Sequence, residues 1–165
     1  MSDFKSTDRA EGETLHLAFE GSIDEDAQFP AVDIGKFKKV VIDLQAVKAI
    51  NSVGIREWLD WIRPVAEKAD ITLQRCPKAL VFQFNMVEGF LPAKASVTSF
   101  QVPFYCEKCD KEENVMFNVG KEVTVTGGNL KLNCDIKKAV GCNEGECGME
   151  MDVTEGKYFQ FLKRA

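Results

Sequence analysis

Apolar and polar positions alternate over residues 14–19, with Leu15, Leu17 and Phe19 on one face and Thr14, His16 and Ala18 on the other. That period of two predicts a half-buried strand. Gly21 follows and marks a bend or bulge. Residues 24–36 are acidic and contain Pro30 and Gly35, which reads as a connection with room for a short helix. Val40, Val41 and Ile42 open a second strand over 38–44, and a further apolar beat comes at Val47, Ala49 and Ile50. The period then lengthens. Ile55, Trp58, Leu59, Ile62, Val65, Ala66 and Ala69 recur at helical spacing, predicting a helix over 52–69 with a wide buried face. Pro64 lacks an N–H and crowds the carbonyl of Asp60, so a kink or a break is expected there. Residues 71–75 read as a strand, and Pro77 suits the first turn of a helix over 78–86 that Gly89 ends. Residues 95–105 alternate in part and read as another strand. This order predicts an α/β layer with a mixed or parallel sheet. Residues 1–12 are polar and read as a flexible tail.

Beyond residue 105 the texture changes. A polar loop holds Cys106 and Cys109, and two β-rich runs cover 115–119 and 122–126. Gly127-Gly128 joins the second of these to 129–132, which predicts a hairpin. Cys142 and Cys147 follow in a second polar loop. Residues 150–153 and 157–162 read as closing strands around Glu155-Gly156. A β-rich unit of roughly 60 residues usually needs a staple.

Composition narrows the classes. The chain has 165 residues, 45% of them hydrophobic, so a packed core is expected. No apolar run is long enough to cross a bilayer, and the polar N-terminus has no signal-peptide core, which reads as cytoplasmic. Residues 1–100 hold 12 Lys and Arg against 15 Asp and Glu, and residues 101–165 hold 9 against 11. Neither half has the basic excess that nucleic acid or an anionic membrane would need.

Several segments carry a family resemblance. They are Gly21-Ser22-Ile23-Asp24 after the first strand, Val41-Ile42-Asp43-Leu44, Ile50-Asn51-Ser52-Val53-Gly54-Ile55 leading into the long helix, Ile71-Thr72-Leu73, and Glu88-Gly89-Phe90. Residues 13–102 thereby resemble the STAS domain of anti-sigma factor antagonists and sulfate transporters. The resemblance implies a mixed sheet with helices packed on one side. It also implies a protein-docking role in bacterial signalling, with a kinase or regulator as partner, switched by phosphorylation of a serine. Ser52 aligns with that serine and Gly54 with the motif glycine. Asn51 stands where the family has Asp, and Val53 replaces its second hydroxyl residue. Residues 103–165 resemble a zinc ribbon in layout.

Each candidate residue has a plain alternative. Ser52 is a phosphoacceptor, or else Ser52 or Asn51 merely caps the helix. Cys106, Cys109, Cys142 and Cys147 together could hold a structural Zn²⁺ at about 2.3 Å per sulfur. Two residues separate the first pair and four the second, with thirty-two between the pairs. Cys134 competes for a ligand place, and Cys76 reads as a buried small hydrophobe. The alternative is free or redox-active thiols at Cys106 and Cys109, as in a thiol-based enzyme or sensor. Trp58 reads as core, and Trp61 as core or interface anchor. No residue pair suggests acid/base catalysis, and His16 is the only histidine. The expected protein is non-enzymatic: a switched regulator or an unswitched scaffold.

Overall fold

A computed structural model of the chain describes residues 3–133 and 149–163. Its main sheet has five strands in the order β1-β2-β3-β4-β5. These are β1 Lys5–Glu11, β2 Thr14–Ile23, β3 Lys39–Ile50, β4 Asp70–Gln74 and β5 Ser96–Val97. Only the β1–β2 pair is antiparallel, and β2 through β5 run parallel. The helices are α1 Ser52–Lys68 between β3 and β4, and α2 Lys78–Met86 between β4 and β5. Both crossovers step the same way across the sheet, and right-handed crossovers that do so place both helices on one face. Packing agrees: Trp58 of α1 stacks on Phe90 with ring centroids 5.3 Å apart, and Phe90 meets Phe84 of α2 at 5.9 Å. The chain is therefore of mixed α/β class.

The first strand corrects the expectation of a flexible tail over 1–12. All seven residues of β1 are exposed, so no apolar period betrays them. Backbone pairing with β2 places the strand. The signal lies in the turn: Gly12 and Glu13 form a two-residue loop between Glu11 and Thr14, with Gly12 at φ +60. Glycine first in a two-residue loop suits a hairpin turn whose twist matches the strands. Asp8 pairs opposite buried Leu17, and a charge on the core-facing side of an edge strand discourages further pairing.

Asp3 ties this terminus down. Its Oδ1 accepts from the Ser22 N–H at 2.7 Å and its Oδ2 accepts from Lys48 Nζ at 3.0 Å. The Lys48 bond first, then the Ser22 N–H, holds the Asp3 carboxyl at about 2, against an ordinary 3.8. A depressed carboxyl adds stability above its unfolded value and loses it as pH falls through the folded one. Asp3→Asn should thus be less stable than wild type at pH 6. The gap should close as pH drops from about 4 to about 2. Urea unfolding at a series of pH values checks this, and because the pair is exposed the gap should be small and salt-sensitive.

The helix over Pro64 runs unbroken to Lys68, contrary to a break. Residues 95–105 divide between two sheets. β5 closes the main sheet. Thr98 donates its N–H to the Leu73 carbonyl, and β6 Ser99–Cys106 then enters a second sheet ordered β10-β6-β7. Here β7 is Lys111–Asn118 and β10 is Met149–Met151. Arg75 at φ +52 and a bridge from Cys76 to Phe100 join the sheets. The hairpin β8 Val123–Thr126 with β9 Asn129–Leu132 forms as the glycine pair predicts.

Two further expectations are corrected. Residues 157–162 are not a strand: Glu155–Tyr158 is a helical turn and Gln160–Leu162 a 3-10 turn. Tyr158, Phe159 and Phe161 are all buried, a spacing that strand alternation does not allow but a helical turn does. The boundary expected between 102 and 103 falls inside β6, and the two parts share one core. Phe100 meets Phe159 at 5.8 Å and Phe161 at 5.1 Å, and Phe84 meets Phe161 at 5.5 Å.

Candidate functional site

The C-terminal ends of β2 and β3 meet the start of α1 at an exposed corner. Asn51 organises it. Its N–H donates to the Ile23 carbonyl at 3.2 Å, and its own carbonyl accepts from the Ile55 N–H at 2.9 Å. Its side-chain Oδ1 accepts from the Gly54 N–H at 2.8 Å, while Nδ2 donates to Glu25 Oε2 at 2.8 Å. Asn51 is thus the N-cap, with extended backbone at φ −106 and ψ 178. It also binds the connection before β3 to the helix start. That amide hydrogen bond holds the Glu25 carboxyl below its usual range.

Gly54 lets the helix come this close. A Cβ built on it would run into the Ile23 carbonyl, 2.5 Å from the carbon and 3.0 Å from Ile23 Cγ2. No side chain fits there, so the first turn of α1 lies directly against the end of β2.

Ser52 is the first residue of α1 and is exposed. With Asn51 capping, no hydrogen bond engages the Ser52 hydroxyl among the described residues. The first turn carries no acidic residue, and exposed Arg56 stands one turn further along, at the i+4 position that faces Ser52. The helix start has spare N–H groups and a positive dipole end. An anionic group on Ser52 would therefore meet helix N–H groups and a guanidinium, opposed by the Glu25 carboxylate.

This geometry separates two substitutions. Asn51→Ala should cost about 1 kcal/mol, the usual loss for a helix cap. Ser52→Ala should stay within about 0.5 kcal/mol of wild type. Chemical denaturation of both proteins checks the order, and a larger loss at Ser52 would mean that its hydroxyl is structural.

Neither tryptophan is a free anchor. Trp58 is fully buried and its Nε1 donates to the Phe90 carbonyl at 2.8 Å. Trp61 is half-buried, donates Nε1 to the Pro30 carbonyl at 2.7 Å and stacks on Phe29 with centroids 5.1 Å apart. It fastens the connection between β2 and β3.

Cys106 is buried at the end of β6, and Cys109 is exposed in the turn to β7. Tyr105 braces that turn by donating its hydroxyl to Asp110 Oδ1 at 2.9 Å. The same bond, with the charge of Asp110, raises the Tyr105 phenol. Met149 pairs opposite Cys106 in the second sheet. Cys134, Cys142 and Cys147 lie outside the described residues. Among the described residues, no three His, Cys, Asp or Glu side chains gather as a metal would require. Cys76 is a buried free thiol, pushed far up by burial, which fits a packing role. His16 lies 3.5 Å from Glu11 on the sheet face away from the helices. No helix among the described residues is long and apolar enough to cross a membrane.

Compared with known proteins, the chain matches no family model, no curated protein and no solved structure.

Proposed function

We propose that this is a non-enzymatic, STAS-like regulatory protein of bacterial signalling. It docks a regulator or kinase at the corner where α1 begins, and phosphorylation of Ser52 switches that docking. One observation carries the reading: Asn51 caps α1, so Ser52 keeps an exposed and unengaged hydroxyl at a helix start. The parallel run β2 to β5, with both helices on one face, supports the resemblance.

A phosphate on Ser52 brings close to two negative charges and three acceptor oxygens. Helix N–H groups and Arg56 favour it, so the domain stays folded. Its charge joins the run Asp24-Glu25-Asp26 and turns the corner strongly acidic. A partner that docks on the neutral serine then meets repulsion and a bulkier surface. Affinity capture with the full chain and native lysate tests this. A partner held by wild type and Ser52→Ala but lost by Ser52→Asp supports the switch. Equal capture by all three contradicts it and leaves an unswitched scaffold.

The cysteines carry a second part of the reading. Cys106 and Cys109 supply two thiols at a tight turn, a donor pair suited to Zn²⁺. Cys142 and Cys147 complete the proposed set, and the chain re-enters the second sheet at Met149, two residues after Cys147. The metal would act as a structural staple. Protein purified without added zinc should contain about one equivalent and lose thermal stability on chelation. Less than about half an equivalent of any metal would point instead to thiol chemistry at Cys106 and Cys109.

A further inference from the structure

Phe82 and Met86 stand one turn apart on the outer face of α2 and are 41% and 77% exposed. The same helix buries Leu80, Val81 and Phe84, so its core face is already satisfied. The exposed pair forms a separate ridge. Beside it lies a groove of about 340 Å³ walled by Phe82, Met86, Val153 and Tyr158, with Asp152 and Lys157 on its lining. The groove is preformed. Phe82 packs edge-on against the Tyr158 ring at 5.6 Å. Asn85 donates Nδ2 to the Tyr158 carbonyl at 2.8 Å and accepts from the Phe161 N–H at 2.9 Å. The amide in the groove is thus satisfied and does not oppose an apolar occupant.

We infer that this ridge and groove pair two copies of the chain about a two-fold axis. Such a contact needs one patch complementary to itself, and here a protruding side chain stands next to a hollow. A two-fold turn drops Met86 of each copy into the groove of the other. Methionine is flexible enough to fill an irregular hollow. Charge agrees with the same axis. Lys78 begins α2 and Glu88 lies just past its end. Antiparallel α2 helices that oppose Phe82 of one copy to Met86 of the other bring Lys78 of each toward Glu88 of its partner. The rim pair Asp152 and Lys157 likewise offers both signs.

Among the described residues, each copy offers only Phe82 and Met86 as large exposed apolar side chains on this face, so the association is weak and depends on concentration. Sedimentation equilibrium of the full chain from micromolar to millimolar should show the average mass rising from one chain toward two. Met86→Lys should weaken the association at least ~10-fold, without lowering thermal stability because the side chain is exposed. Lys78→Glu should weaken it less, and Lys78→Glu with Glu88→Lys should restore it. A mass fixed at one chain throughout would overturn the inference, as would a dimer that Met86→Lys leaves intact. Failure of the double charge reversal to restore pairing would overturn the two-fold arrangement.

Discussion

Gly54→Ala should lower the unfolding free energy by about 3 kcal/mol or more. The added methyl has nowhere to go. It meets the Ile23 carbonyl carbon at 2.5 Å, and both partners are backbone held by other bonds. Ile23 accepts from the Asn51 N–H, and Gly54 donates to the Asn51 side chain at 2.8 Å. Relief requires α1 to move off β2, which breaks the cap and opens the core beneath Trp58. Ordinary helix propensity predicts the reverse sign, since alanine is favoured over glycine inside a helix by about 1 kcal/mol. A Gly54→Ala protein as stable as wild type in urea would therefore refute the close approach. A large loss would also break the Ser52 corner, so this variant reports on the fold and not on docking.

Trp58→Ala should cost about 4 kcal/mol. The side chain is fully buried and touches Phe29, Trp61 and Phe90, with centroids 6.0, 5.7 and 5.3 Å away. Truncation leaves a cavity between α1 and the segment after α2. It also leaves the Phe90 carbonyl without the indole N–H that it accepts from. Trp58→Phe retains most of the packing but loses that bond, so about 1–2 kcal/mol is expected. Equilibrium unfolding by urea, followed by circular dichroism, distinguishes the two. Equal losses would mean that the hydrogen bond, not the packing, dominates.

The main sheet was legible where burial is one-sided. Leu15, Leu17 and Phe19 alternate because one face of β2 meets the helices. Ile62 and Val65 recur at helical spacing because α1 lies on that face. The tail was not legible as β1, because its pairing is through backbone and its side chains all meet water. The closing segment does not declare its helical turns in the sequence, because Tyr158, Phe159 and Phe161 stand in an apolar run too short to show a period. A division near residue 102 follows from the resemblance and from the change of texture beyond residue 105, and neither reveals that Phe100 and Phe117 pack with Phe159 into the common core. At the corner, Ser52 and Gly54 were evident from their place at the strand–helix junction. The Asn51–Glu25 bond was not, since the two stand twenty-six residues apart in the chain. The ridge on α2 is not legible either: apolar residues stand on several sides of this short helix, and only the packing reveals that Leu80, Val81 and Phe84 are buried while Phe82 and Met86 face water.

The proposed switch requires the exposed Ser52 hydroxyl to carry a phosphate in the cell. Site-resolved mass spectrometry of the protein isolated from its own cells, across growth states, addresses it most directly. The expected result is a phosphopeptide spanning the start of α1, modified at Ser52, with an occupancy that changes between states. Complete peptide coverage with Ser52 unmodified in every state would contradict it.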